Sequence, residues 1–179
     1  MLITRANEQD LPVIYGLFEE AIRFQKANHY IGWNDYDKDF IRSDIKDGLL
    51  YKLVTGDTIA CIFSICLSDA LIWRHREKGD AVYLHRVVLN RKFSGKKLFG
   101  KVLAWTTQYA NEKQLSYIRM DTWADNDKII AYYIGYGFVF VENYTTPATE
   151  ALPVQHRNLR VVLLEKTVPN FNIVTSETL

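Results

Sequence analysis

A strand-like apolar run followed by a basic turn is the feature that most constrains how this chain can fold. The run from Ala81 to Leu89 predicts a buried strand, and residues 81–110 contain six Lys or Arg and no acidic residue. Ser94 is a favourable N-cap and Gly95 permits a tight turn, so we expect a helix from Ser94 to about Lys113. A bound polyphosphate would offset the unfavourable placement of cations at a helix N-terminus. A solvated basic surface helix explains the same spacing equally well.

Length and charge limit the classes of protein to be considered. The chain has 179 residues and a formal net charge of +1. This length suits a single domain, and this charge argues against a protein that coats nucleic acid. We expect one domain over residues 1–167 and a C-terminal tail over residues 168–179, which carry little pattern.

The cysteines and histidines form no disulfide or metal-binding pattern. Cys61 and Cys66 lie five apart in one apolar run, so in a strand they point to opposite faces and a mutual disulfide is disfavoured. We expect a reducing compartment and no metal. Because no signal peptide or transmembrane span is visible, we also expect a cytoplasmic protein without a membrane partner.

The rest of the chain alternates between strand-like and helical patterns. Helices are expected after an Asp10 cap, from Asp37 to Gly48, and from Asn126 or Asp127 to Gly137. The further strands are predicted at Leu2–Ala6, Leu49–Val54, Ile59–Leu67, Tyr117–Trp123, Phe138–Val141 and Leu159–Leu164.

The order of these elements, β-α-α-β-β-β-α-β-α-β-β, defines an α+β protein (an α/β three-layer arrangement). We expect a mixed, mostly antiparallel sheet flanked by helices. The strands at Ala81 and Tyr117 should lie parallel, because a helical crossover connects them.

Two motifs stand on either side of the Tyr117 strand. The first is VVLNRKFSGKK at residues 87–97, which reads as strand, tight turn and helix. The second is Asn126 followed by Tyr133, Gly137 and Phe138. With the element order over about residues 2–166, these motifs resemble the GNAT superfamily of acetyl-CoA-dependent N-acetyltransferases.

Both motifs are similar to patterns of that superfamily, and the first departs from its pattern at two positions. Lys92 and Gly95 are in register with its basic-or-Gln, x, x, Gly, x, Gly/Ala pattern, and the second motif is similar to its Asn…Tyr-x-x-x-Gly-Phe pattern. Lys97 stands where Gly or Ala is usual, and Arg91 where many members have Pro. The Lys97 side chain would either point outward and add charge or obstruct the ligand.

The resemblance implies a GNAT-like fold and acetyl-CoA as co-substrate, with no metal. Amides of the Ala81 strand would pair with the pantetheine arm, and Asn126 would contact that arm or cap its own helix. The strand residues are Val87, Val88 and Leu89, and the residues that would hold the pyrophosphate are Lys92, Phe93, Ser94, Gly95, Lys96, Lys97 and Leu98.

Tyr133 and His85 are the candidate catalytic residues. Tyr133 matches the superfamily's general-acid tyrosine, which would protonate the CoA sulfur, although periodicity alone favours a core-lining role. His85 is a candidate general base because its ordinary pKa lies near 6.5. Strand alternation predicts that Tyr83, His85, Val87 and Leu89 share one side. The alternatives are a water-mediated proton path and a hydrogen-bonded core histidine.

The resemblance places the acceptor pocket near the loop between the first two helices. Tyr30, Trp33 and Tyr36 from that loop, with Asp121 from the Tyr117 strand, would bind a small-molecule or peptide amine. Aromatic packing beneath a long loop explains the three loop residues equally well.

The prediction is therefore an N-acetyltransferase that transfers the acetyl group directly, with Tyr133 as general acid. The alternative is a non-catalytic, regulatory or degenerate module that binds CoA or acyl-CoA, which Lys97 favours and Tyr133 opposes. No nucleic-acid partner is expected, and the oligomeric state is left open with a homodimer as one option.

Overall fold

The computed structural model describes residues 1–169, which form a seven-stranded sheet with helices on both faces. The strands are β1 (Leu2–Arg5), β2 (Leu50–Thr55), β3 (Thr58–Cys66), β4 (Ala81–Leu89), β5 (Tyr117–Trp123), β6 (Val139–Thr145) and β7 (Arg160–Thr167). The helices are α1 (Leu11–Ala27), α2 (Lys38–Lys46), α3 (Ala70–Trp73), α4 (Leu98–Glu112) and α5 (Asp127–Ile134). None of the helices in this part of the chain is long and apolar enough to cross a membrane.

The sheet has the mixed topology that the element order predicts. Its strand order is β1-β2-β3-β4-β5-β7-β6, and every neighbouring pair is antiparallel except β4 and β5. Helices α4 and α5 pack on one face, where Phe99 and Tyr133 belong to the largest core cluster. Helices α1 and α2 pack on the other, where Phe18 and Ile41 are fully buried. The predicted α+β, three-layer class is confirmed.

Strands β4 and β5 separate soon after they begin. Their parallel pairing runs only from Ala81–Tyr117 to Tyr83–Arg119, while β4 continues to Leu89 and β5 to Trp123. Beyond Tyr83, the edge of β4 that faces β5 therefore has no strand partner within the described residues. A wedge opens in the middle of the sheet.

A β-bulge in β4 overturns the predicted alternation of its side chains. Ser64 of β3 pairs with His85, but Ile62 pairs with Val88, so one β3 residue opposes two on β4. Arg86 takes up the extra residue with a left-handed backbone (φ 51°). Val87 consequently packs with the α4-side core cluster, whereas His85 faces acidic side chains on the opposite face.

The start of the basic helix also differs from the prediction. Helix α4 begins at Leu98 rather than at Ser94, because Arg91–Phe93 first form a 3-10 turn. The Asn90 side chain accepts a hydrogen bond from the amide of Lys92 at 3.0 Å and so caps that turn. Ser94 only ends it, and Lys97 occupies the N-cap position of α4 in a left-handed conformation (φ 51°, ψ 40°).

Asp10 does not cap α1 as expected. Asn7 caps a 3-10 turn at Glu8–Asp10 that runs directly into α1. The Asp10 carboxylate instead accepts from the amide of Asn7 and pairs with the Lys52 ammonium at 2.7 Å. It makes no capping hydrogen bond to the amides of α1.

The remaining differences lie between Ala70 and the end of the described residues. Helix α3 was not predicted, although Ile72 and Trp73 are almost fully buried. Strands β6 and β7 extend beyond their predicted ends, to Thr145 and Thr167. Of the predicted tail, Val168 is buried and its amide donates to the carbonyl of Ser116, while residues 170–179 lie outside the described residues.

Candidate active site

The wedge between β4 and β5 contains a cavity of about 310 Å³ that is lined from both faces of the sheet. Tyr133 and Ile129 of α5 line it from the face that carries α4. His85 and Asp121 line it from the opposite face, since Asp121 alternates with the core residue Met120 along β5. The predicted site residues that line the cavity are Tyr30, Trp33, His85, Val87, Val88, Leu89, Asp121, Asn126 and Tyr133.

Tyr133 presents a neutral hydroxyl to this cavity. Its ring packs against Phe99 and Phe138, with centroids 5.0 and 6.3 Å away. Burial raises the pKa of Tyr133 well above its usual range, so the phenol keeps its proton at neutral pH. Within residues 1–169 the hydroxyl makes no hydrogen bond, although it belongs to a buried residue.

His85 lies between two carboxyl groups. Its Nε2 is 3.5 Å from Oδ2 of Asp69, and its Nδ1 is 3.8 Å from Oδ1 of Asp121. Burial raises the pKa of Asp69 to about 7 and that of Asp121 to about 6, and it lowers the pKa of His85 to about 3. Burial therefore disfavours the charged form of all three groups, and their titrations are coupled because they lie so close together.

Asp69 was not among the predicted site residues. It lies in the connection between β3 and α3, sixteen positions before His85, and no motif or periodicity marks it. Only the fold shows its proximity to His85, because the end of β3 returns beside β4 in the antiparallel ladder.

A buried ion pair secures the bulge next to His85. The Arg86 guanidinium donates from Nε and Nη2 to Oδ2 of Asp44 on α2, with 3.0 Å from Nε. The Ser64 hydroxyl donates to the same oxygen at 2.6 Å. The charge of Arg86 is thus neutralised by a carboxylate away from the cavity, and removal of either partner would leave an uncompensated buried charge.

Aromatic side chains close the cavity on the side of the α1–α2 loop. The Trp33 indole packs against Phe18 and Trp123, with centroids 5.3 and 5.6 Å apart. The amide of Trp33 donates to the side chain of Gln25 at 3.0 Å. Tyr30 lies at the rim, where the Lys128 ammonium is 5.5 Å from its ring centroid.

Asn126 fastens this loop to α5. Its Oδ1 accepts from the amide of Ile129 at 3.2 Å, which caps α5, and its Nδ2 donates to the carbonyl of Ile31 at 2.8 Å. The expected capping role is therefore present. The second hydrogen bond, across 95 positions, has no counterpart in the sequence pattern.

Tyr36 lies outside the cavity, unlike the other two aromatic residues predicted from this loop. Its ring stacks on Phe18 with a centroid distance of 5.0 Å, and its hydroxyl donates to the Glu19 carboxylate at 2.9 Å. These contacts explain its position by packing against α1.

The turn before α4 lies beside the cavity rather than in its wall. Within the described residues, the amides of Gly95, Lys97 and Leu98 donate to no acceptor of the chain. A Cβ added at Gly95 (φ 78°) would meet no atom within 4 Å. The side chains of Lys92, Ser94, Lys96 and Lys97 are exposed, that of Phe93 is half-buried, and that of Leu98 is buried in the core.

This arrangement suits an anion. Free amides in a turn at a helix N-terminus bind phosphate groups, and the lysines around it add positive charge. Because the Lys97 side chain is exposed, it does not fill the space above Gly95. Arg91 lies on the cavity side of the turn, with its guanidinium 3.2 Å from the ring centroid of Phe24.

Comparisons with known proteins agree with this fold. The chain is 25% identical over 141 residues to the uncharacterized N-acetyltransferase YesJ of Bacillus subtilis, which covers 74% of this chain and 78% of YesJ. It superposes on a GNAT-family acetyltransferase from Listeria monocytogenes with a TM-score of 0.76 at 22% identity, over 93% of this chain and 94% of the other. No family model matches the sequence.

A further structural neighbour is yncA of Salmonella typhimurium, an acetyltransferase solved with acetyl-CoA. The TM-score is 0.64 at 16% identity, and the alignment covers 98% of each chain. The chain therefore has the fold of GNAT-family acetyltransferases. In sequence it is similar to an N-acetyltransferase over 74% of its length.

Proposed function

We propose that the protein transfers the acetyl group of acetyl-CoA directly to a primary amine. One observation carries the proposal. The β4–β5 wedge brings the Tyr133 hydroxyl from one face of the sheet, and His85 and Asp121 from the other, into a single cavity. The turn with free amides lies beside it.

The residues around the wedge suit acetyl-CoA, which supplies an activated acyl group as its thioester. The open edge of β4 at Val87–Leu89 offers backbone groups to the amides of the pantetheine arm. The turn from Lys92 to Leu98 would hold the pyrophosphate, chiefly through the amides of Gly95, Lys97 and Leu98. Lys97 would add its charge from outside.

Tyr133 would act as the general acid. A leaving thiolate needs a proton, and a buried phenol whose pKa lies above its usual range holds one at neutral pH. Its hydroxyl has no competing hydrogen bond within the described residues and is free to donate into the cavity.

Asp121 and His85 would receive the amine. Oδ1 of Asp121 and Nδ1 of His85 are 3.8 Å apart, so one ammonium group could donate to both. The indoles of Trp33 and Trp123 would cover the apolar part of the acceptor. The Asn126–Ile31 hydrogen bond ties the α1–α2 loop, which closes one side of the cavity, to α5. A small-molecule amine therefore fits this cavity better than a folded protein chain.

Release of free CoA thiol from acetyl-CoA, measured across a panel of amines, tests the proposal. The panel contains amino acids, polyamines, aminoglycosides, arylalkylamines and peptides with free N-termini. We expect amine-dependent thiol release and an acetylated amine detected by mass spectrometry. Calorimetric binding of CoA without thiol release for any amine would instead support the binding module, and absence of both would contradict the proposal.

A further inference from the structure

We infer that Asp69 is a positioning residue that holds His85 in the tautomer whose Nδ1 takes a proton from the acceptor amine. The inference rests on the proposed function and assigns the proton acceptor of the reaction. Asp69 itself does not line the cavity. It acts through the imidazole ring, whose Nε2 faces its carboxyl group.

The three groups form a compact cluster, in which one ligand atom from each residue lies within 4.8 Å of the other two. Oδ2 of Asp69 is buried and has no hydrogen-bond partner in residues 1–169, and Nε2 of His85 lies 3.5 Å from it. This is the outer limit of a hydrogen bond, a length common in active sites without substrate. The other ring nitrogen, Nδ1, faces Asp121, whose side chain is 94% buried and lines the cavity.

A proton on Nε2 satisfies the orphaned oxygen of Asp69 and leaves a lone pair on Nδ1. Nδ1 and the Asp121 carboxylate are then two acceptors that face each other at 3.8 Å. Two acceptors at this separation need a donor between them, and an ammonium group supplies two N–H bonds. The opposite tautomer would direct a proton towards Asp121 and block the amine's path to Nδ1.

The proton balance follows from this placement. The ammonium gives its first proton to Nδ1 of His85, and the freed lone pair forms the N–C bond as the C–S bond breaks. Tyr133 donates its proton to the sulfur. The nitrogen then loses a second proton to solvent, and solvent restores Tyr133 and takes the proton from His85. One proton is released in total for each acetyl group transferred.

Burial, together with the nearby Arg86 guanidinium, lowers the pKa of His85 and keeps the ring neutral until it takes a proton during the reaction. Arg86 lies next to it in β4, with its guanidinium held by Asp44 of α2. His156, from the β6–β7 connection, also lines the cavity, and its pKa is lowered by burial to about 4, so it is neutral too. An ionised Asp69 would stabilise the imidazolium, as the buried aspartate does in a Ser-His-Asp triad.

The groups that face Asp69 set the pH at which it ionises. Burial and the nearby Asp121 raise its pKa to about 7, with Glu77 acting in the same direction and Arg86 opposing it. Cys66 of β3 stays a neutral thiol, since burial and Asp69 raise its pKa to about 12. The ionised form of Asp69 is therefore present above about pH 7 and lost below it, and activity should follow.

The test compares Asp69→Asn, His85→Gln and the double variant with wild type, from pH 6 to 9. We expect Asp69→Asn to lower kcat by about 100-fold, the scale of general-base catalysis, with KM for acetyl-CoA unchanged. The acidic limb near pH 7 should disappear, and the double variant should lose no more than His85→Gln alone. Asp125→Asn, which removes an exposed carboxylate paired with Arg160, should retain wild-type kcat.

Wild-type kcat and pH profile in Asp69→Asn would overturn the inference, as would a double variant that loses the product of both single effects. Loss of activity with a chelator and recovery with a divalent cation would also overturn it. The ligand atoms of Asp69, His85 and Asp121 lie within 4.8 Å of one another and would then be metal ligands.

A second measurement needs no activity. Nitrogen-15 NMR of the histidine rings should show His85 protonated at Nε2 in the wild-type protein and shifted towards the Nδ1–H tautomer in Asp69→Asn. An Nδ1–H tautomer in the wild type would overturn the inference. If no amine is acetylated, the proposed function fails, but the NMR measurement still shows whether Asp69 sets the tautomer of His85. Failure of the proposed function and failure of this inference can therefore be distinguished.

Discussion

Two carboxyl groups, those of Asp69 and Asp121, lie where water solvates them poorly, next to a neutral imidazole. A buried carboxylate without a full set of hydrogen bonds costs folding free energy, so stability alone would not retain both. Residues that reduce stability while lining or bordering a cavity are typical of functional sites. The free-energy cost of burying these carboxylates should be measurable as a pH dependence of the free energy of unfolding.

Asp69→Asn should make the protein more stable at pH 8 than at pH 5, relative to wild type. The folded-state pKa of Asp69 is raised from 3.8 to about 7, so between these values the folded protein binds more protons than the unfolded chain. Wild-type stability therefore falls as pH rises through this window, and the asparagine removes that loss. We expect a gain of about 1–3 kcal/mol at pH 8 that shrinks towards pH 4, measured by urea unfolding.

The control for this measurement is Asp125→Asn, because the Asp125 carboxylate is more than half exposed. Its pH dependence of unfolding should match that of the wild type. An Asp69→Asn gain that is equal at pH 5 and pH 8 would contradict the assignment of a raised pKa.

Tyr133→Phe should lower kcat while leaving CoA affinity unchanged. The substitution removes only the hydroxyl, and the ring contacts with Phe99 and Phe138 remain. We expect a loss of about 100-fold, the scale of general-acid catalysis, in steady-state thiol release, and the same CoA dissociation constant by calorimetry. Tyr132→Phe is the matched control, since Tyr132 is the preceding residue of α5 and 40% exposed. Equal turnover in wild type and Tyr133→Phe would remove Tyr133 from the acid role.

At the scale of elements, the β4–α4 connection combines a bulged strand with a turn of free amides. Arg86 and Lys97 are both non-glycine residues with left-handed backbones, a conformation that costs of the order of 1 kcal/mol each. The bulge places His85 and Val87 on opposite faces of the sheet, and the Arg86–Asp44 ion pair stabilises it. The turn leaves three amides that donate to no acceptor within the described residues.

Gly95→Asp should weaken CoA binding at least tenfold if the turn holds the pyrophosphate. A Cβ at Gly95 meets no protein atom within 4 Å, so the side chain would extend into the space proposed for the ligand and add a repelling charge. Gly56→Asp is the control, because Gly56 also has a positive φ (57°, against 78° at Gly95) and equally open surroundings in the β2–β3 hairpin. Both variants then carry similar backbone strain.

Calorimetry with CoA distinguishes loss of the proposed phosphate contacts from the effect of backbone strain. Gly56→Asp should keep the wild-type dissociation constant for CoA. The loss of affinity in Gly95→Asp should shrink with pantetheine as ligand, because pantetheine has no pyrophosphate. Equal CoA affinity in Gly95→Asp and wild type would refute the phosphate assignment.

At the scale of the whole molecule, the sequence predicts the layers better than the site. Periodicity locates the strands at Ala81 and Tyr117, because burial imposes that pattern on the residues themselves. The helical crossover between them predicts their parallel pairing. The bulge at Arg86 leaves no such pattern, since an inserted residue changes side-chain direction without changing composition. No sequence pattern marks Asp69 either, because its proposed role depends on its proximity to His85, which only the folded sheet creates.

The proposed placement of the two substrates on opposite faces of one wedge has a kinetic consequence. A direct transfer requires donor and acceptor to be bound together, whereas a covalent route requires a nucleophile on the protein. The candidate thiols are unsuitable. Burial raises the pKa of Cys61 above its usual range and that of Cys66 to about 12, and neither residue lines the cavity. A thiol with so high a pKa is a poor nucleophile at neutral pH.

We therefore expect sequential kinetics, with intersecting double-reciprocal lines when acetyl-CoA and the acceptor amine are varied together. Intact mass spectrometry after incubation with acetyl-CoA alone should show no acetyl adduct, and Cys66→Ala should keep the wild-type kcat. Parallel lines together with an adduct that chases into product on addition of amine would establish an acyl-enzyme. The wedge would then serve the two substrates in turn, and Tyr133 and His85 would not need to face a shared space.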